Sequence, residues 1–175
     1  MNSVSIIIPA YNEEAGIGRV VNEVLSILKG TGWAHELIVV NDGSTDRTGE
    51  AARALPVILV EHPANRGYGA ALKSGIARAA HDYILILDAD GTYPEGSIPS
   101  LLGEADQYDM VVGARTGPAV AIPLHRRLPK WCLKKLADYL TGMKLPDLNS
   151  GLRVFTKASA LRFLNLFPDG FSFTT

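Results

Sequence analysis

The chain has 175 residues, of which 47% are hydrophobic and 20% charged, with a formal net charge of −1. This composition suits a globular chain that buries one core, so a single domain over 1–175 is expected and no nucleic-acid partner is. The lone Cys132 excludes an internal disulfide, the start Met1-Asn2-Ser3-Val4 lacks the order of a signal peptide, and no stretch approaches the roughly 18 to 20 apolar residues that a membrane-spanning helix requires. A reducing, cytoplasmic location is expected.

Val4-Ser-Ile-Ile-Ile8 is β-branched and stops at Pro9, which lacks the N–H of a strand interior, so a buried strand is predicted. From Glu13 to Lys29 the apolar Ile17, Val20, Val21, Val24, Leu25 and Leu28 recur at helical spacing, with acids at the start and Gly30 at the end. Glu36–Val40 is a second strand, Asp46–Ala54 a short helix, Val57–Val60 a third strand and Gly69–Ala80 another helix. Tyr83–Leu87 and Met110–Gly113 are the fourth and fifth strands. Residues 114–123 turn to Ala, Gly, Thr and Pro and predict a loop, followed by a basic helix from His125 to Leu140, a late strand at Leu152–Phe155 and a helix from Lys157 to Leu166. No internal repeat is present.

Continuous apolar strands separated by helices imply a mostly parallel sheet covered on both faces, an α/β fold. Ligands of such sheets sit beyond the carboxyl ends of the strands. The residues there are 9–13, 41–46, 62–66 and 88–92, which hold most of the concentrated polar chemistry. The charge is also divided: residues 1–110 hold 7 Lys/Arg against 15 Asp/Glu, and residues 111–175 hold 10 against 3. Such asymmetry suggests different partners for the two parts.

In "LDADGTYPEG", residues 87–96, Asp88 and Asp90 would share one face if the strand continued through them. Paired carboxylates repel unless a cation lies between them, and hard oxygen ligands suit Mg²⁺ or Mn²⁺ held together with substrate phosphates. A solvated Asp-X-Asp turn is the plain alternative. "LILDADGT" also matches the motif of aspartate-nucleophile phosphatases of the haloacid-dehalogenase type, with Asp88 as nucleophile. In those enzymes the motif opens the core fold, whereas three strands precede it here, and the acids after Asp109 are isolated.

"SIIIPAYNEE" (5–14), "IVVNDGSTDRT" (38–48), "NRGYGAALKSGI" (65–76), "LILDADGTYPEGSI" (85–98), "MVVGAR" (110–115) and "DLNSGLRVF" (147–155) follow one another along the chain. Together they resemble the family 2 glycosyltransferases with the GT-A fold, most closely the polyprenyl-phosphate (dolichol-phosphate) mannosyl- and glucosyltransferases. The resemblance implies a nucleotide-sugar-binding half over 1–110 and an acceptor-binding half over 111–175. Relatives of this kind continue past residue 175, so a C-terminal truncation is expected.

The resemblance also implies roles. Pro9, Tyr11 and Glu13 would line the nucleotide base and ribose, Asp42 would hydrogen-bond the base, and Ala89 would approach the ribose. Asp88 and Asp90 would hold the divalent ion, Mg²⁺ or Mn²⁺, and the donor diphosphate, while Lys73 is either a surface lysine or a diphosphate contact. Arg115, Arg126 and Arg127 would grip the acceptor phosphate, and Asp147, Ser150 and Arg153 would lie near the reacting sugar. Asn12, Ser44 and Thr45 could equally be turn and cap residues. The four histidines, His35, His62, His81 and His125, lack metal-ligand spacing and are expected in surface or loop roles.

The implied reaction moves a hexose from a UDP- or GDP-linked donor to the phosphate of a polyprenyl or dolichyl lipid at the cytoplasmic face of a membrane, with inversion. The basic stretch 125–144, which includes Trp131, Leu136 and Tyr139, would touch anionic headgroups. A nucleotide-sugar-binding module without catalysis is the non-enzyme alternative.

Overall fold

A computed structural model describes residues 2–91, 95–114, 135, 136, 138–140, 142, 147 and 150–170. In chain order the elements are β1 (Ser3–Ala10), α1 (Ile17–Leu28), β2 (Ala34–Asn41), α2 (Thr48–Arg53), β3 (Ile58–Glu61), α3 (Tyr68–Arg78) and β4 (Tyr83–Ile86). They continue with a 3₁₀ turn (Glu95–Ser97), α4 (Ile98–Glu104), β5 (Met110–Val112), β6 (Arg153–Thr156), α5 (Lys157–Phe163) and a second 3₁₀ turn (Leu164–Leu166).

The strands form one sheet in the order β3-β2-β1-β4-β6-β5. The first four are mutually parallel, and β6 runs antiparallel to both β4 and β5. The sheet is therefore mostly parallel, as expected, but the late strand inserts between the fourth and fifth. Alternate side chains serve the two faces, as the pleat requires. Val4, Ile6 and Ile8 of β1 pack with Val20, Val21 and Val24 of α1 and with Ile98 and Leu102 of α4. Ile7 points the other way, into Leu72 and Ile76 of α3 and, with Ile84, Ile86 and Phe155, toward Ala160 of α5. Burial on both faces explains why the strands read as unbroken apolar runs.

Most boundaries differ from the expected ones by a residue or a few, and three differences matter for the site. β1 passes through Pro9 and ends at Ala10. The Ile7 carbonyl accepts from the Leu87 amide, so Pro9, two residues on, turns its missing donor toward β4's side, where the β4 pairing has already ended. α1 begins at Ile17 rather than Glu13 because the amides of Glu13 and Glu14 are taken by Thr48 Oγ1 at 2.8 Å and Asp46 Oδ2 at 3.2 Å. α4 carries no clear helical period across its seven residues, and only its contacts with α1, β5 and β6 reveal it.

The connections diverge between β1 and β4: from β1 the chain moves outward to β2 and β3, and after β4 it moves to the opposite edge. That is the switch point at which open α/β sheets form a crevice. The start of α3 is fixed beside it by a distant segment. The amides of Gly69 and Ala70 donate to the carbonyls of Gly170 and Asp169, each at 3.0 Å. A Cβ on Gly69 would lie 2.2 Å from the Pro168 carbonyl oxygen, so only glycine allows this approach. Gly69→Ala is expected to lower the unfolding free energy by about 1–3 kcal/mol in urea titrations, through backbone displacement and loss of these bonds. A change within about 0.5 kcal/mol would contradict the contact.

Candidate active site

Three rim segments meet at the switch point, and backbone-to-side-chain hydrogen bonds join them. Asn12 adopts a left-handed conformation with φ 56°. Its Oδ1 accepts from the Thr45 amide at 2.9 Å, and its own amide donates to Ser44 Oγ at 3.0 Å. The Arg47 amide donates to Glu14 Oε2 at 2.9 Å. Asp46 closes the set by accepting from the Thr48 amide at 2.9 Å and from its hydroxyl, and chiefly that hydroxyl holds the Asp46 carboxyl below the ordinary range. The capping expected of Asn12, Ser44 and Thr45 is corrected: the N-caps of α1 and α2 are Gly16 and Arg47, without side-chain caps, and these three residues tie one loop to the other instead. Their effect is to hold 11–14 against 44–48 whatever else binds.

This clasp brings acids together. Glu13 is half-buried, and its carboxyl is raised from the usual value of 4.5 first by burial, then by the charges of Asp90 and Asp46. Asp90 is exposed, in the turn after β4, whereas Asp88 is half-buried and accepts from the Tyr68 hydroxyl of α3 at 2.8 Å. The β4 ladder ends before either acid, so strand alternation does not set their directions. Asp88 is oriented by α3 and Asp90 lies in the field of Glu13, on the α1 side. Gly91, at φ 67°, continues the turn, and a Cβ there would meet Arg19 Nη2 at 1.8 Å. Arg19 of α1, also within 3.4 Å of Glu23, therefore seats its guanidinium against the Asp-X-Asp-Gly loop. The sequence reading did not single it out, because only the fold brings α1 under residue 91.

Asp42 is buried and receives three donors: His62 Nδ1 at 2.6 Å, the Arg66 amide at 3.0 Å and the Gly67 amide at 2.9 Å. The carboxylate has no proton to give, so Nδ1 carries the hydrogen. His62 Nε2 pairs with Ser74 Oγ at 2.9 Å. The expected surface or loop role of His62 is corrected here: it is buried and joins β2's end to α3. The sequence signal was faint, a histidine directly after an apolar strand.

The remaining candidate residues divide. Tyr11 is 46% exposed at the rim, where its ring is available to a ligand. Pro9 and Ala89 are buried, and the Ala89 methyl packs in the α1-side core, so neither side chain is presented to a ligand. Lys73 pairs instead with Asp169 at 2.6 Å, and that hydrogen bond holds the Asp169 carboxyl low. The first amides of α3 are already satisfied by the carbonyls of Asp169 and Gly170. Ser150 is fully buried, its hydroxyl donating to the Gly113 carbonyl at 2.6 Å, and Arg153 Nε donates to the Ser150 carbonyl at 2.8 Å. These two residues clasp the start of β6 to the end of β5. Asp147 is half-buried. Arg115, Arg126 and Arg127 lie outside the described residues, as does most of 125–144.

A cavity of about 450 Å³ lies on the α5 face of the sheet, between Ile86, Asp109, Met110, Arg153, Phe155 and Phe163.

The donor set fits a hard divalent cation in part. Among the described residues no group of three or more His, Cys, Asp or Glu is placed to hold a metal. Two carboxylates beside a third, crowded acid are nonetheless what Mg²⁺ or Mn²⁺ needs when a substrate diphosphate completes its shell. Asp88 and Asp90 would hold it.

An open α/β sheet with an acidic loop at its switch point is the GT-A arrangement. A crystal structure of glucosyl-3-phosphoglycerate synthase from Mycobacterium tuberculosis with Mn²⁺, UDP and glucosyl-3-phosphoglycerate shares it, with a TM-score of 0.70 at 25% identity over 90% of this chain and 57% of that one. Residues 5–163 match the glycosyl transferase family 2 model, and the chain belongs to that family. It is 32% identical over 174 residues to the dodecaprenyl-phosphate galacturonate synthase of Rhizobium johnstonii, covering 95% of this chain and 51% of that protein. It is 31% identical over 158 residues to the dolichyl-phosphate hexose transferase of Haloferax volcanii, covering 89% and 67%. The chain spans about half the length of most of the curated relatives it matches. The family match over 5–163 sets the phosphatase reading of "LILDADGT" aside.

The raised carboxyl of Glu13 has a direct consequence for stability. A group whose folded value lies above its unfolded one favours folding when protonated. Stability is therefore lost as pH rises from about 4.5 through the raised value, and the penalty is complete above it. Metal-free Glu13→Gln is expected to unfold at higher urea than the parent at pH 7, with the difference closing below pH 4.5. Equal midpoints at pH 7 would show that the acids are not crowded.

Proposed function

We propose that the chain is the catalytic domain of an inverting glycosyltransferase that moves a hexose from a nucleotide diphosphate sugar to the phosphate of a polyprenyl or dolichyl lipid. The observation that carries it is the acidic rim at the switch point of a family 2 fold, where the charges of Asp90 and Asp46 bear on Glu13 and Asp88 is held by Tyr68 just after β4. The activities for which the Rhizobium and Haloferax relatives are named support a polyprenyl-type acceptor. The Mn²⁺ and UDP of the mycobacterial synthase structure support a nucleotide donor and a divalent ion, Mg²⁺ or Mn²⁺.

On this reading Asp42 and Tyr11 receive the base, and Glu13 and the backbone at Pro9 and Ala89 bound the ribose. Asp88, fixed by Tyr68, and Asp90 present oxygens to the cation. When bound, the cation offsets the negative charge that gathers on the leaving diphosphate. The acceptor phosphate oxygen is already anionic at neutral pH, so the chain supplies no strong base. Its task is to hold a second anion near the first. Arg115, Arg126, Arg127 and Arg153 are assigned to that phosphate, since guanidinium forks pair with it bidentately. Asp147 and Ser150 order the sugar side of the site. Lys73, paired with Asp169, is assigned to holding the 168–170 segment.

Contact with the cytoplasmic face of a membrane through 125–144 is part of the proposal. Within that stretch Leu136, Tyr139 and Leu140 are 54%, 83% and 73% exposed, the amphipathic exposure that an interface would cover. No helix among the described residues is long and apolar enough to cross a membrane.

Two substitutions separate the roles. Asp90→Asn is expected to abolish Mn²⁺-dependent donor binding and to slow sugar transfer to a polyprenyl phosphate by roughly a hundredfold or more. Arg115→Ala is expected to lose transfer while keeping donor binding, as followed by calorimetry and a radiolabelled-sugar assay. Unchanged transfer in Asp90→Asn would overturn the metal assignment. Donor binding without transfer in the parent would identify a binding module.

A further inference from the structure

The two oxygens of Asp42 are unequally used. Oδ1 accepts from His62 Nδ1 at 2.6 Å and from the Arg66 amide at 3.0 Å, whereas among the described residues Oδ2 accepts only from the Gly67 amide, at 2.9 Å. A carboxylate offers about four acceptor positions, two on each oxygen. Oδ1 is therefore full, and Oδ2 has one position left. His62 is not free to turn aside. Its Nε2 is tied to Ser74 Oγ of α3 at 2.9 Å, and both side chains of the His62–Asp42 pair are 5% exposed.

We infer that His62 is a specificity-determining positioning residue: by filling Oδ1 it leaves Asp42 able to receive a single base N–H, so the donor site takes a pyrimidine with one imide N–H, uracil or thymine, in preference to guanine or cytosine. The inference rests on the reading of Asp42 as the base contact. Guanine presents a ring N–H and an amino group side by side, a pair that calls for both oxygens of a carboxylate. With Oδ1 occupied, one of those donors enters a nearly dry pocket unpaired, a loss worth roughly tenfold to a hundredfold in affinity. Cytosine brings an unprotonated ring nitrogen, an acceptor, against an acceptor. Tyr11 does not discriminate, because every base has a face that an aromatic ring can cover.

Segments far apart in sequence build this device. Gly67 donates its amide at φ 99°, and Gly43, at φ 67°, lets the 64–65 backbone approach so closely that a Cβ would lie 2.3 Å from the Ala64 carbonyl carbon. The loop after β3 is thereby pressed onto Asp42, and the Arg66 and Gly67 amides reach it without side-chain assistance.

The test is binding of UDP, dTDP, CDP and GDP to the 175-residue chain at fixed Mn²⁺, by isothermal titration calorimetry. UDP and dTDP are expected to bind at least about tenfold more tightly than CDP and GDP. In His62→Leu the opened Oδ1 shrinks the disadvantage of GDP by about tenfold, whereas His62→Gln, whose amide still donates, retains it. GDP or CDP binding as tightly as UDP to the unaltered chain overturns the inference and leaves the donor-site reading standing. Binding of none of the four overturns both. The panel on the unaltered chain decides the matter even where His62→Leu does not fold.

Discussion

Carboxylates forced close together at the end of a sheet are the constraint on which this structure turns. Glu13, Asp46 and Asp90 come from three separated segments, and the raised carboxyl of Glu13 reflects first its burial and then the charges of Asp90 and Asp46. Left to themselves, such groups would move apart into water. They do not, because Asn12, Glu13 and Glu14 are tied through backbone groups to Ser44, Thr45, Asp46 and Thr48. The hydrogen bonds of the clasp oppose the repulsion, and the site holds negative charge that a cation and a diphosphate can use. Preorganisation of this kind leaves little rearrangement for the moment of reaction.

A second layer holds the clasp in register with α3. Asp42 gathers His62, Arg66 and Gly67; His62 reaches Ser74; Tyr68 reaches Asp88; and the carbonyls of 169 and 170 cap the helix start. Glycines at 43, 67 and 69 are the condition for this density, since each has backbone where a Cβ would stand. The same closeness explains why a helix N-terminus that looks free to bind an anion is already satisfied, and why Lys73 holds Asp169. Oriented side chains at the rim are thus consequences of backbone contacts several residues away.

Much of this was legible in the sequence. All six strands and most helices followed from apolar runs and helical spacing, because both faces of the sheet are buried. The rim followed from the rule about strand ends, and Asp88 and Asp90 stood out as two acids two positions apart after an apolar run. What was not legible depended on contacts between distant segments. The insertion of β6 between β4 and β5 is a pairing choice that no local pattern encodes. The late start of α1 comes from Thr48 and Asp46, more than thirty residues on. Burial of His62 needed Asp42 and Ser74 to be neighbours, and the place of Arg19 under Gly91 needed α1 to cross the Asp-X-Asp loop. Pro9 misled because strand rules assume that both sides of a strand are paired.

The proposed function requires a cation held between these acids and a donor pyrophosphate. Crystals grown with Mn²⁺ and UDP, with anomalous data collected at the manganese edge, test it directly. One strong peak is expected within coordination distance of an Asp90 carboxylate oxygen and of both phosphates. A peak elsewhere, or UDP bound at the rim with no metal beside residues 88–90, would contradict it.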